Sequence, residues 1–168
     1  MRNKIEGLGV ALAIFALTLV VLLMSGVAYY VLAFDRATDV FYDALGIGWD
    51  YVRRERKSLF TLGMNVDYLH ELRAGDAVRI ATRLVDHDHK RIHYFHEMSH
   101  SKGGWLAATN ELLAMHVDMA TRRSAPFPDD VVAHLAAMQS ALAALPPSAL
   151  LGRKLGIRRG EPVPAEDR

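Results

Sequence analysis

The sequence predicts an α+β chain: one long amphipathic helix, then a run of antiparallel strands, then a closing helix. Three observations carry this. Val27, Tyr30, Val31, Phe34, Thr38, Phe41 and Leu45 recur at three- and four-residue steps, while Asp35, Arg36, Asp39 and Asp43 fall on other sides. Four strand-like segments follow, at residues 58–69, 77–86, 91–99 and 105–118, separated by short turn-forming stretches. Pro126 and Pro128 then break the chain before a helical stretch at 129–145, with Val131, Leu135, Met138 and Leu142 on one stripe.

Each element has its own local reason. Ser25 can cap the first helix, and Gly46 with Gly48 supplies its stop. A short helical piece at 49–56 ends in the basic cluster Arg53, Arg54, Arg56 and Lys57. The separators Arg-Ala-Gly-Asp at 73–76, Asp-His-Asp-His-Lys at 86–90 and Ser-Lys-Gly-Gly at 101–104 are turn chemistry. Links this short make consecutive strands antiparallel neighbours. After Pro146 and Pro147 the chain turns basic and irregular, so residues 146–168 are expected to form a flexible tail.

Composition narrows the function classes. The chain has 168 residues, 51% of them apolar, and a formal net charge of +1. That suits one folded domain and gives no global attraction to nucleic acid. No cysteine is present, which excludes disulfides, thiolate metal sites and thiol nucleophiles. The mean hydropathy of +0.08 hides an uneven distribution. Only Arg2, Lys4 and Glu6 carry charge before Asp35, and residues 8–24 form an apolar run of near-spanning length. Residues 1–26 therefore read as an atypical apolar leader, either a single-pass membrane anchor through Leu8 to Met24 or a first strand. Residues 27–145 read as the folded domain.

At this point the residues carry a resemblance. Tyr29 to Asp39 with Leu45-Gly-Ile-Gly48, the run Tyr68 to Asp76, Lys90 to Met98, Leu106 to Thr109, His116 to Arg123 and Pro126-Phe-Pro128 are similar, in order and spacing, to the hotdog-fold acyl-CoA thioesterases of the 4-hydroxybenzoyl-CoA thioesterase type. The resemblance covers roughly residues 27–145. It implies a central helix wrapped by a curved antiparallel sheet. It also implies hydrolysis of a small or medium acyl-CoA to free acid and CoA, no cofactor, and a homodimer or dimer of dimers with acyl-CoA bound between protomers in the cytoplasm. The chain also resembles enzymes of carnitine and betaine breakdown. It departs from the family where the carboxylate should stand, just before the helix. Val20 occupies the acid's position, Met24 that of a histidine and Gly26 that of an asparagine. The abrupt junction fits a membrane tether or an altered upstream reading frame, and it leaves a non-catalytic acyl-binding or membrane-tethered module as the alternative function.

What the resemblance leaves in place are backbone amides at Gly26 and Val27, which at a helix N-terminus can polarise a thioester carbonyl. Tyr30, Ser58 and Thr61 are candidates for the acyl pocket. Lys90 with Arg91, and then Arg122 with Arg123, are candidates for the CoA phosphates, because a guanidinium fork matches phosphate oxygens. Glu97 and Glu111 could act as a base, but cross-strand pairing with Arg91 is the plainer reading. Asp35, Asp39 and Asp43 could approach a substrate; the plainer reading is a solvated helix face. His87, His89, His93, His96 and His100 crowd into 14 residues, yet His93 and His96 are an odd number apart and face opposite sides of a strand, so no metal site is expected. The central helix has no histidine to serve a hotdog dehydratase.

Overall fold

The structure, a computed structural model, describes residues 26–156. The Ser25 cap, the 8–24 membrane segment, and positions Val20 and Met24 all lie outside the described residues. Among the described residues no helix is long and apolar enough to cross a membrane.

Helix α1 spans Val27–Ala44 and starts from Gly26, which offers no side chain to cap it. It stops where the sequence says it should. Gly46 takes a left-handed φ of 77°, its N–H donating to the Asp43 carbonyl. Helix α2, Trp49–Glu55, follows at once and closes on Arg56.

The sheet comprises β1 (Lys57–Tyr68), β2 (Val78–His87), β3 (Arg91–His100) and β4 (Leu106–Asp118), in the order β1-β4-β3-β2, with the two-residue β5 (Arg123–Ser124) paired to the end of β4. All pairings are antiparallel. The boundaries agree with the sequence to about one residue, but the expected neighbourhood does not hold throughout. β2–β3 and β3–β4 are neighbours, whereas β1 and β2 lie on opposite edges. The link between them, residues 69–77, is long enough to cross to the far edge. It is pinned on the way: Leu69 and His70 N–H groups both donate to the Ala107 carbonyl, and the Leu72 N–H donates to the Tyr30 hydroxyl at 2.8 Å.

One face of the sheet wraps α1. Phe34 packs with Met98 and Ala108, while Phe41 and Leu45 join Leu84, Ile92, Tyr94, Leu112 and Ala114. Helix α3, Asp129–Leu142, closes this second cluster with Val131 and Leu135. It ends three residues earlier than expected, at a turn in which Leu145 N–H donates to the Leu142 carbonyl.

The expected flexible tail is a strap as far as Arg153. Beyond α3 the chain crosses the outer face of the sheet strand by strand. Arg83 of β2 donates to the Pro146 carbonyl, and Ser148 Oγ donates to Glu97 of β3 at 2.9 Å. Gly152 N–H donates to Glu111 of β4 at 2.7 Å. Asn65 of β1 donates to the Arg153 carbonyl at 3.0 Å, and Arg153 pairs with Asp67 at 3.3 Å. Beneath it Phe95, in register with Arg83 and Glu111, is 2% exposed. A chain ending at Leu145 uncovers this ring. It is expected to lose about 1.5–3 kcal/mol of stability, read as a lower urea midpoint. An unchanged midpoint would mean that the sheet holds the strap and gains nothing from it.

The same contacts correct another expectation. Glu97 and Glu111 do not pair with Arg91: Glu97 takes Ser148, and Glu111 takes His93 at 2.8 Å together with Gly152. Arg91 sits opposite Met115 and bonds Asp88, three residues back in its own turn. Hydrogen bonds from the Lys90 and Arg91 backbone and the Arg91 guanidinium outweigh desolvation and hold Asp88 down to about 2.

Candidate active site

A cavity of about 200 Å³ opens between α1 and β1. Its helical wall is Asp35, Thr38, Asp39 and Tyr42, at steps of three, one and three. These residues form a second, polar stripe beside the apolar one that ends in Phe41 and Leu45. Its floor is Ile47, Gly48, Trp49 and Val52, where α1 turns into α2. Its facing wall is Ser58, Leu59 and Thr61 of β1, just before a register shift between Thr61 and Gly63. Gly48 keeps this turn close to α1: an added Cβ would fall 1.7 Å from an Asp43 carboxylate oxygen, forcing that side chain aside, and 3.0 Å from the Asp43 Cα.

The cavity is acidic. Its lining holds two carboxylates and no lysine or arginine. Arg36 reaches one Asp39 oxygen from outside at 3.4 Å, with 75% of its own side chain exposed. Asp35 is exposed, as the solvated-face expectation has it, and Asp39 is partly buried; both also line the cleft that faces β1. Nothing in the helix periodicity distinguishes the two cases, because the strand that closes the cleft is contributed from further along the chain.

A buried hydroxyl and imidazole layer backs the helical wall. The Tyr42 and Tyr94 hydroxyls bond each other at 2.9 Å. His96 links Thr38 of α1 at 3.0 Å to Thr82 of β2 at 2.9 Å, and its ring stacks on Phe34. Burial holds His96 down to about 4, so it is neutral, donating through one ring nitrogen and accepting through the other. Burial, then Tyr94, Asp35 and Asp39, push the Tyr42 phenol up, so it stays protonated. Further along, His116 Nδ1 donates to the Ala125 and Pro126 carbonyls, which leaves Nε2 to accept from the Tyr51 hydroxyl at 2.9 Å.

The structure brings some of the sequence candidates together and separates others. Ser58 and Thr61 line the same cavity as Asp35 and Asp39. Tyr30 lies elsewhere, its hydroxyl donating to the His70 carbonyl and its ring edge-on to Tyr68. Gly26 and Val27 begin the same helix two turns before Asp35, about 12 Å along its axis. Lys90, Arg91, Arg122 and Arg123 gather at one end of the sheet. His116 N–H donates to the Lys90 carbonyl, Arg123 of β5 stands opposite Asp118 of β4 in the ladder, and Ser58 sits opposite Val117 at that same end. Of the five histidines, His96 lies inside, His100 stacks on Trp105, and His93 bonds Glu111 while lining a second cavity with His87, Asp86 and Asp88. Among the described residues no group of three His, Asp or Glu is placed to hold a metal.

Comparison with known proteins decides what such a wrapped-helix cleft belongs to. Residues 20–135 match the model of the thioesterase-like superfamily. The chain belongs to that superfamily. This thioesterase-like chain is 35% identical over 130 residues to a betainyl-CoA thioesterase of Pseudomonas aeruginosa, covering 77% of this chain and 82% of that one. It is 29% identical over 130 residues to an L-carnitine dehydrogenase/betainyl-CoA thioesterase of Rhizobium meliloti, of whose length it spans 26%. Among solved structures it is similar to the Staphylococcus aureus protein SAV2348, determined in complex with CoA, with a TM-score of 0.73, 30% identity and coverage of 78% and 82%. A thioesterase candidate of Pseudomonas putida KT2440 gives a TM-score of 0.67 at 28% identity, with coverage of 79% and 84%. The fold is the hotdog fold, and the superfamily's chemistry is thioester hydrolysis.

Proposed function

We propose that this chain hydrolyses a short acyl-CoA thioester in the cleft between α1 and β1, with Asp35 as general base. The observation that carries it is the opposition of a helix carboxylate to the stretch of β1 that holds Ser58, Leu59 and Thr61 across one small cavity. In the proposed step Asp35 takes a proton from water as its oxygen attacks the thioester carbonyl carbon. The Thr61 hydroxyl, on the same face of β1 as core-packed Leu59, donates to the developing oxyanion. The C–S bond then breaks, and the thiolate leaves with the proton that Asp35 gives back. No cofactor enters this scheme.

Size supports a short acyl group. A cavity of about 150 Å³ holds benzene, so this one suits an acyl group of roughly six to eight heavy atoms. A betainyl group, named for the Pseudomonas aeruginosa and Rhizobium meliloti relatives, has seven. The CoA found with the Staphylococcus aureus neighbour supports CoA as the carrier. Lys90, Arg91, Arg122 and Arg123, at the Ser58 end of the sheet, are its proposed phosphate contacts. A CoA substrate also fits a cytoplasmic setting.

A second copy is the proposed partner. Among the described residues β1 pairs only with β4, leaving its outer edge unpaired there, and Phe60, Leu62, Met64 and Tyr68 along it are about half exposed. A long apolar edge of this kind pairs with another strand, here β1 of a second chain beside the Ser58 and Thr61 wall. Light scattering of the full chain is expected to give a dimer at micromolar concentration. The double substitution Leu62→Lys with Met64→Lys is expected to shift it to monomer; a monomeric wild type would sink this assembly.

The assay for the main reading is thiol release from a panel of acyl-CoAs. The chain has no cysteine, so a thiol reagent reads CoA alone. Release above background from the folded protein supports hydrolysis. Binding without release would favour the non-catalytic acyl-binding module.

A further inference from the structure

Resting on the cleft as the site of thioester hydrolysis, we infer that the Tyr42 hydroxyl is a second donor to the oxyanion, aimed into the cleft by the buried Tyr94 hydroxyl. Two residues of the helical wall carry hydroxyls, Thr38 and Tyr42, one turn apart on α1. Each is partly buried and meets a partner from β3 behind it. Thr38 bonds His96 at 3.0 Å and Tyr42 bonds Tyr94 at 2.9 Å, and both partners are 0% exposed. The two periods match here, because i and i+4 on a helix face meet i and i+2 on a strand face. Burial pushes the Tyr94 phenol up, and the Tyr42 and Thr38 hydroxyls act against it, so both wall hydroxyls neighbour one buried phenol. The result is a row, Thr82, His96, Thr38, Tyr94 and Tyr42, that begins in the sheet and ends at the cavity.

The direction of donation along that row decides what Tyr42 shows the substrate. Neutral His96 has one N–H and one bare nitrogen, so it passes donation along in a single sense. Tyr42 and Tyr94 share one bond but carry two hydroxyl protons, which leaves one proton over. If Tyr42 donates inward, that proton lies in the core and a phenol lone pair faces a cavity lined by Asp35 and Asp39. If Tyr94 donates outward, the Tyr42 proton points toward the carboxylates instead. Both carboxylates act on the Tyr42 phenol, after burial and Tyr94, in the sense that keeps its proton on. A lone pair is repelled by their charge and a proton is attracted, so the outward arrangement is favoured. Thr82 then donates to His96 Nδ1, His96 Nε2–H to Thr38, Thr38 to Tyr94, and Tyr94 to Tyr42. Tyr42 is left as a donor with no protein acceptor among the described residues. Fixed from behind and held protonated, it needs no reorganisation when charge develops on the carbonyl oxygen. Thr61 donates from β1 and Tyr42 from α1, so the oxyanion is held from both walls.

The test compares the full chain as wild type, Tyr42→Phe, Tyr94→Phe and the double variant, on the acyl-CoA that wild type cleaves fastest. Tyr42→Phe is expected to lower kcat about a hundredfold with KM within about threefold. Tyr94→Phe, at a residue that touches no substrate, is expected to lower kcat about tenfold. The double variant is expected to be no slower than Tyr42→Phe alone, because Tyr94 acts only through Tyr42. Additive losses, or a Tyr42→Phe kcat within about threefold of wild type, overturn the inference. A second readout needs no cleavage: the isotope-edited carbonyl stretch of bound hexanoyl-dethia-CoA, a ketone in which a methylene replaces the sulfur. Wild type is expected to give the lowest frequency, Tyr42→Phe the highest and Tyr94→Phe a value between them. Equal frequencies overturn the inference too. If no acyl-CoA is cleaved but the frequencies fall in that order, the Tyr42 donor stands and hydrolysis falls. Cleavage that survives Tyr42→Phe unchanged leaves hydrolysis standing and removes Tyr42 from it. Circular dichroism checks folding, and where Tyr94→Phe does not fold, the two readouts on Tyr42→Phe decide.

Discussion

Asp35→Asn is expected to lower kcat at least a hundredfold while leaving the chain folded. The substitution keeps shape and removes the ability to accept a proton, and general-base contributions are typically about 10²–10⁴ in rate. Of the two carboxylates lining the cleft, Asp35 is the one whose charge reaches both the Tyr42 and Tyr94 phenols. Asp39 shares an oxygen with Arg36 and stands on the Trp49 side. Loss in kcat with little change in KM would identify a group acting in the transition state. Circular dichroism and the urea midpoint check that the fold persists. A kcat within about threefold of wild type would remove Asp35 from the mechanism.

Acid is expected to weaken the fold over a defined window. His96 is fully buried between Thr38 and Thr82, and burial holds it down to about 4, against 6.5 for an exposed imidazole. Between these values the unfolded chain binds a proton that the folded chain refuses, so stability falls as pH drops from about 6.5 to about 4 and levels off below. The full window corresponds to about 3 kcal/mol. His116, also pushed down by burial, acts in the same direction. Urea midpoints measured at pH 7 and pH 4.5 should differ accordingly. His96→Gln, which keeps an amide between the two threonines but cannot titrate, should flatten that difference by more than half. An equal pH slope in the variant would assign the acid sensitivity to other groups.

Much of the fold was legible one-dimensionally. Strand ends fell at Asp86–Lys90 and Ser101–Gly104 because those stretches contain little besides turn formers, and α1 ended at Gly46 because only glycine relaxes at that φ. The strand order was not legible. The link over residues 69–77 carries no mark saying that it passes Tyr30 to the opposite edge, and β1 could equally have paired with β2. The strap was missed for a related reason. Its Pro- and Gly-rich composition looks like a linker, and it is held by bonds to Glu97, Glu111 and Asp67, which are remote in sequence.

The site divides along the same line. Ser58 and Thr61 were visible as hydroxyls on the first strand after the helix. Asp35 and Asp39 were visible as charges on a solvated face, and Asp35 is exposed there; that the Asp35, Thr38, Asp39, Tyr42 stripe also lines a cleft was not visible. By itself, then, the sequence determined the elements, their boundaries and the family, because periodicity and turn chemistry are local properties written along the chain. Only the tertiary structure decided which face of α1 would meet β1, and with it which carboxylates line a cavity. A polar helix stripe has the same spacing whether water or a distant strand stands across from it.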